Sequence, residues 1–198
     1  MNIKGNAVVL TNGKFNSKSA KTAHGLIRGS KRFNVVAVID SSFSEKYVHI
    51  DKTGKIDLLD SVSDIPIFKD INSFLQSSLK VDYCIIGVAS AGGLLPDEMR
   101  GDVILSLKNG ISIINGLHSI LNKDEELVKI SSQSNSKIYD IRASRPRNDL
   151  SFWSGKIYEV KVPKIVVLGT DCGLGKRTTA KLVVENLEKN NIISDMVY

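Results

Sequence analysis

The fold is decided by the stretch Ile165-Val166-Val167-Leu168-Gly169-Thr170-Asp171-Cys172-Gly173-Leu174-Gly175-Lys176-Arg177-Thr178-Thr179. Its apolar beginning, 165–168, predicts a buried parallel strand. A glycine-bearing loop follows, and the apolar periodicity of 179–187 predicts a helix. This order is typical of a phosphate-binding loop, because glycines let backbone N–H groups surround phosphate oxygens and the helix N-terminus adds partial positive charge. The stretch therefore predicts an anion site in which Lys176 reaches the outer phosphates.

The spacing departs from the usual phosphate loop. Five residues separate Gly169 from Gly175, where the usual pattern has four. Arg177 follows the lysine, at the position where a hydroxyl would bind magnesium, and Thr178 comes one residue late. We expect phosphate or cofactor contacts from seven residues: Gly169, Thr170, Gly173, Gly175, Lys176, Arg177 and Thr178.

Two side chains of this loop have further candidate roles. The hydroxyl of Thr178 is a candidate ligand for magnesium. Asp171 could bind a metal or orient an attacking group, or it could cap the loop. An ordinary strand-to-helix turn that happens to contain Gly-Lys is the alternative for the whole stretch.

Composition bounds the class of protein. The chain has 198 residues, 42% of them hydrophobic, and a formal net charge of +6 at pH 7. No run of about 18 apolar residues predicts a membrane span. The lysines are scattered, without a nucleic-acid motif, so we expect no nucleic-acid partner. The first residues lead directly into a predicted strand, without a signal peptide. Cys84 and Cys172 form no close pair, which favours reduced thiols. Both observations favour a cytoplasmic location.

Apolar segments alternate along the chain with stretches of helical periodicity. Strands are predicted at 7–10, 34–39, 81–89, 111–114 and 138–141, helices at 20–27, 71–79, 96–107 and around 127–130, and an edge hairpin within 47–67. Ser19 and Asn122 are the predicted N-caps of the first and last helices. This alternation predicts a Rossmann-like α/β domain over 1–142, with a mainly parallel sheet covered on both faces.

The remainder of the chain is predicted to hold a linker and part of a second domain. Residues 143–156 form the linker. Residues 157–198 provide strands at 157–162 and 165–168, the phosphate loop, one helix and a strand start at 192. Because about forty residues cannot close a parallel sheet with covered faces, we expect the second domain to be incomplete and the sequence to be a fragment.

Candidate site residues also follow the strands of the first domain. Gly92 and Gly93 come after the strand at 81–89, Arg100 lies on the next helix, and His118 follows the strand at 111–114. Open α/β sheets place ligands at the carboxyl ends of their strands, so these residues could surround one crevice. Arg100 could bind a substrate carboxylate or a nearby acid. His118 could accept a proton or hydrogen-bond to the backbone.

Three further charged residues predict structure rather than chemistry. Arg28, Asp40 and Arg142 each lie at or near the end of a predicted strand or helix. We expect them to form an ion-pair network between elements.

Several segments together resemble the DgcN-like family, formerly a domain of unknown function. They are AKTAHGLIR at 20–28, VAVID at 36–40, GVASAGGLLPDEMR at 87–100, GLH at 116–118, DIR at 140–142, GTDC at 169–172 and GKRTTA at 175–180. The resemblance covers nearly the whole chain. It implies a Rossmann-like domain followed by a P-loop domain. It also implies D-glutamate N-acetyltransferase activity with acetyl-CoA. Gly173-Leu174 stands where the family often has Ala-Val.

The phosphate loop by itself also resembles that of dethiobiotin synthetase. Three hypotheses therefore remain open. The first is acyl transfer from acetyl-CoA to the amine of an acidic amino acid. The second is an ATP-dependent ligase or kinase with magnesium. The third is a non-enzymatic nucleotide-binding protein. A homo-oligomer is left open in each.

Overall fold

The computed structural model describes residues 3–60, 64–171 and 174–197. The chain divides into two compact units, Met1–Arg145 and Pro146–Tyr198. Cys172 and Gly173 lie outside the described residues, so the predicted phosphate contact of Gly173 stays a prediction.

The first unit contains an eight-stranded sheet in its described part. Its strands are β1 (Gly5–Leu10), β2 (Phe33–Ile39), β3 (Tyr47–Ile50), β4 (Ile56–Leu59), β5 (Ile65–Phe68), β6 (Tyr83–Ile86), β7 (Ser112–Asn115) and β8 (Ile138–Asp140). The spatial order is β4-β3-β5-β2-β1-β6-β7-β8. All pairs are parallel except β3 with β4 and β3 with β5. The α/β fold and the edge hairpin, formed by β3 and β4, are confirmed.

Helices cover both faces of this sheet. They are α1 (Lys21–Ile27), α2 (Ile71–Leu75), α3 (Asp97–Lys108) and α4 (Glu125–Gln133). Alternate residues of β1 point to opposite faces. Val8 and Leu10 belong to the main core cluster together with apolar residues of α2, α3 and α4, whereas Val9 packs with Ala20 and Ala23 beside α1. The strands of a sheet covered in this way are buried on both sides, which explains their nearly continuous apolar sequences.

Three predicted helix boundaries were wrong. Ser17, not Ser19, accepts a backbone N–H at the helical turn before α1. Asp124, not Asn122, caps α4 by accepting from the N–H of Leu127. The Asn122 amide instead donates to Ile138 O and to Asp140. Helix α2 ends at Leu75, four residues earlier than predicted.

The second unit has α5 (Lys176–Lys189) and two short 3-10 helices, Arg147–Asp149 and Lys156–Glu159. Its described residues form no strand, so the strands predicted at 157–162, 165–168 and from 192 were wrong for this chain. Leu168 is 83% exposed and Ile165 is 68% exposed. A parallel strand exists only by pairing with a neighbouring strand, and the described part of this unit supplies none.

Across the described residues, no helix is long and apolar enough to cross a membrane.

Candidate functional site

The sheet of the first unit has a topological switch point at β1. The chain leaves β1 toward β2 on one side, and the strand on the other side is β6. The loops that follow β1 and β6 therefore diverge at the carboxyl edge of the sheet, where open α/β sheets bind ligands. Ala89 N–H donates to Ser19 O at 2.8 Å, so the two loops are joined by their backbones.

Gly93 and His118 come together beside this switch point. The N–H groups of His118 and Ser119 both donate to Gly93 O at 2.9 Å. Gly93 has φ of +67°, and an added Cβ would lie 2.8 Å from His118 Cβ. His118 is exposed, whereas the neighbouring Ser119 Oγ is buried and has no hydrogen-bond partner among the described residues. The glycine turn thus fixes the backbone of a solvent-facing imidazole.

Hydrogen bonds of the Asn115 and Asp140 side chains stabilise the loop that carries His118. The Asn115 side-chain amide donates to Ser119 O and to Asp140 Oδ1, both at 2.7 Å. Asp140 also accepts the backbone N–H groups of Leu121 and Asn122, at 3.0 and 2.9 Å. Burial alone would raise the pKa of Asp140, but these hydrogen bonds outweigh it and hold the pKa below its usual value.

Arg100 points toward the start of α4. Its guanidinium donates to Asp124 at 2.6 and 3.1 Å and to Glu126 at 2.6 Å. Hydrogen bonding to Arg100 holds the pKa of Asp124 below its usual value. The geometry therefore favours the pairing of Arg100 with nearby acids over its predicted contact with a substrate carboxylate.

The ion-pair network predicted for Arg28, Asp40 and Arg142 was wrong. Arg28 Nε donates to Gly54 O at 2.9 Å, and Arg142 Nε donates to Gly116 O at 2.7 Å. The buried Asp40 carboxylate accepts from the Thr11 hydroxyl at 2.7 Å and from Phe15 N–H at 3.0 Å. Each of the three is thus hydrogen-bonded to a different part of the chain, and no salt bridge among the described residues joins them.

Sequence reasoning missed one ion pair in this region. Lys14 Nζ, on the loop after β1, lies 3.2 Å from Glu98 Oε1 in the first turn of α3. The two residues are 84 positions apart, so no local pattern could have indicated the contact. Ser119 was missed for a different reason, because only burial distinguishes it from other serines.

In the second unit, the two ends of the glycine-bearing loop lie together. The aliphatic stem of Lys176 covers Gly169, where an added Cβ would lie 3.1 Å from Lys176 Cγ and Cδ. Lys176 Nζ donates to the backbone carbonyl of Asp171. Gly175 precedes α5 in a left-handed conformation, and no side chain among the described residues caps this helix. The lysine ammonium and the first N–H groups of α5 thus lie in one short segment of the chain. This combination of groups is typical of phosphate-binding loops.

The remaining candidates of this loop lie on the surface. Thr170, Asp171, Arg177 and Thr178 are all exposed. Across the described ranges, no group of three or more His, Cys, Asp and Glu side chains is placed to hold a metal. The metal ligands predicted within this loop are the Thr178 hydroxyl and Asp171, and two side chains are not a sufficient ligand set for magnesium.

These two units define a class of α/β protein that combines a Rossmann-like domain with a P-loop domain. Comparison with family models identifies the particular family. A Rossmann-like domain of unknown function, DUF1611_N, matches residues 51–144, and the P-loop domain DUF1611_C matches residues 151–198. The chain carries both domains and belongs to the DUF1611 family.

Two curated relatives bear the same name. A D-glutamate N-acetyltransferase from Pseudoalteromonas sp is 32% identical over 111 residues, and one from Tritonibacter scottomollicae is 26% identical over 110 residues. Each match covers 56% of this chain and 32% of the relative. The chain thus matches about a third of the length of these relatives.

A solved structure resembles most of the chain. The crystal structure of a DUF1611 family protein from Anabaena variabilis has a TM-score of 0.78 and 25% sequence identity to this chain. The match covers 94% of this chain and 51% of the solved one. The chain spans about half of that protein.

Proposed function

We propose that the protein transfers an acetyl group from acetyl-CoA to the amine of D-glutamate or a similar acidic amino acid. The observation that carries this proposal is the similarity to two relatives named D-glutamate N-acetyltransferase, 32% and 26% identical to this chain. The absence of a membrane-spanning helix in the described residues and the buried thiol of Cys84 are compatible with action in the cytoplasm.

Acetyl transfer to an amine has two chemical requirements. The substrate ammonium must lose a proton, and its nitrogen must then attack the thioester carbonyl. The C–N bond forms, the C–S bond breaks, and CoA leaves as the thiol after taking up a proton. His118 supports the first requirement, because an exposed imidazole on a backbone fixed by Gly93 can accept the ammonium proton.

The P-loop supports binding of the donor. CoA carries phosphate groups, and Lys176 together with the uncapped start of α5 offers a cation and backbone donors to them. Phosphate would take the place of the Asp171 carbonyl at the ammonium of Lys176. ATP or another nucleotide would meet the same groups, so a ligase or kinase of the dethiobiotin synthetase type is the second candidate.

Kinetics with the purified protein test the proposal. Acetyl-CoA and D-glutamate should release CoA thiol without ATP. His118→Ala should lower kcat, because it removes the proposed base, by about a hundredfold. Lys176→Ala should weaken acetyl-CoA binding at least tenfold, about 1.4 kcal/mol, because it removes the phosphate contact.

The two candidate reactions give opposite results in this assay. Phosphate release that requires both ATP and the amino acid, without thiol release from acetyl-CoA, would contradict acetyl transfer and favour the ligase. Unchanged acetyl-CoA affinity of Lys176→Ala in a calorimetric titration would contradict the role given to the P-loop.

A further inference from the structure

We propose that Lys14 and Glu98 form the subsite for the charged groups of an amino-acid substrate. Lys14 would bind a carboxylate and Glu98 the α-ammonium. This inference rests on the function proposed above and names the residues that would recognise its acceptor.

The position of the pair is the first argument. Lys14 belongs to the loop after β1, and Glu98 lies on α3, which follows the loop after β6. These are the two loops that diverge at the topological switch point, where open α/β sheets bind their ligands. In the sheet, β6 and β7 lie on the side of β1 that faces away from β2, and Gly93 and His118 follow the ends of these two strands.

The availability of the pair is the second argument. The guanidinium of Arg100 already binds two acids, whereas Lys14 and Glu98 share one contact of 3.2 Å. Their side chains are 37% and 55% exposed, so a ligand can reach both. A lysine ammonium has three donors and a carboxylate has two acceptor oxygens, which leaves capacity beyond the single contact. Solvent-exposed ion pairs stabilise a protein only weakly, so a ligand can separate this pair at little cost.

Charge complementarity is the third argument. An amino acid carries a carboxylate and an ammonium, and it can replace one Lys–Glu contact by two, each with the opposite charge. Hydrogen bonds from its own backbone N–H and from Lys14 hold the pKa of Glu98 below its usual value, so the carboxylate is charged at neutral pH. Lys14 and Glu98 thus each face a ligand group of the opposite charge.

The backbone of Lys14 is also fixed before any ligand binds. Its carbonyl accepts from the N–H and the hydroxyl of Ser17, at 2.9 and 2.7 Å, and its N–H donates to Thr11 O at 3.1 Å. The next N–H, of Phe15, donates to the buried Asp40 carboxylate. A fixed backbone lowers the ordering cost that binding must offset.

Two ligands that differ by one charged group separate the two roles. Calorimetric titrations of the protein would use D-glutamate and glutarate, which lacks the ammonium. Lys14→Met should weaken binding of both ligands at least about tenfold, because both carry carboxylates. Glu98→Gln should weaken D-glutamate by about fivefold or more and leave glutarate unchanged or tighter, since only D-glutamate brings an ammonium.

Lys46→Met is the matched control. Lys46 pairs with Asp60 at 3.0 Å, and its side chain is 39% exposed, close to the 37% of Lys14, but it lies beside the β3–β4 hairpin. This variant should bind both ligands as the wild type does. Circular dichroism of all three variants verifies that they fold.

Each other outcome has a distinct meaning. Wild-type affinity for both ligands in Lys14→Met would overturn the subsite and leave the proposed acetyl transfer intact. Weakened binding without thiol release by the wild type would support the subsite and contradict acetyl transfer. A wild-type protein that binds neither ligand would overturn both.

Discussion

Gly92 and Gly93 occupy similar backbone conformations but different surroundings. Their φ angles are +64° and +67°. Among the described residues, an added Cβ at Gly92 would meet only Leu94 Cγ within 4.0 Å, whereas one at Gly93 would lie 2.8 Å from His118 Cβ and 2.9 Å from Cγ. An added side chain should therefore cause nearly the same backbone strain at both positions. A steric clash with a neighbouring residue is expected at Gly93 but not at Gly92.

Gly93→Ala should destabilise the protein more than Gly92→Ala. We expect about 1 kcal/mol for Gly92→Ala from the left-handed backbone alone. Gly93→Ala should cost about 1 to 3 kcal/mol more, because the His118 loop must move. Free energies of unfolding from urea denaturation measure the difference, and Gly92→Ala serves as the control for backbone strain. Equal losses in the two variants would contradict the packing of His118 on Gly93.

Individual side chains were the least predictable feature of the candidate site. The sequence placed Gly93 and His118 at strand ends, and the fold brings them into contact. It could not show that Arg100 binds Asp124 and Glu126, or that Lys14 binds Glu98, since each contact joins residues more than twenty positions apart. Such pairs depend on where loops and helices meet after folding.

At the scale of elements, apolar patterns predicted the parallel strands because both faces of each strand are buried. The caps were harder, since Ser, Asn and Asp occur near every helix start. Asp124 caps α4 because its side chain accepts a hydrogen bond from Leu127 N–H, whereas the Asn122 side chain donates to Asp140. The run 165–168 has strand composition but forms no strand in the described residues, because composition supplies apolar side chains and not a neighbouring strand.

Asp140 connects β8 to the loops after β7, and its removal should loosen them. In Asp140→Asn, an amide donor would replace one carboxylate oxygen and face donors of Asn115 or Asn122. We expect a loss of about 2 kcal/mol at neutral pH, since hydrogen bonds to a charged group are lost. Asp57→Asn is the control, because Asp57 pairs with Lys55 at the exposed hairpin.

The pH dependence of stability gives a second measurement of Asp140. Its folded pKa is depressed, so its contribution is present above the unfolded value, about 3.9, and is lost as pH falls through the folded pKa. The difference in unfolding free energy between wild type and Asp140→Asn should therefore shrink below about pH 4. A difference that stays constant down to pH 2, measured by urea denaturation, would contradict the ionised role of Asp140.

At the scale of the whole molecule, the two units differ in how their apolar residues are used. Every buried apolar side chain among the described residues lies between Ile3 and Ile138. In the second unit, Phe152 is 98% exposed and Ile193 is 99% exposed. The alternation of strands and helices predicted the first unit because that unit closes its own core. The same reasoning failed for the strands of the second, whose described residues contain no comparable core.

This division predicts that the first unit folds by itself. A chain ending at Arg145 keeps all eight described strands, α1 to α4 and every buried apolar residue of the described part. Its free energy of unfolding should lie within about 1 kcal/mol of the full chain, because the described residues it loses include no buried apolar side chain. Urea denaturation followed by near-ultraviolet circular dichroism measures this. A chain ending at Gln133 is the control: it lacks β8 and Asp140, so it should lose cooperative unfolding. A loss of more than about 2 kcal/mol on removal of 146–198 would mean that the first unit depends on the second for its stability.

The shortened chain should also lose affinity for acetyl-CoA, because Gly169 and Lys176 are absent, while it keeps the Lys14–Glu98 pair and its binding of glutarate.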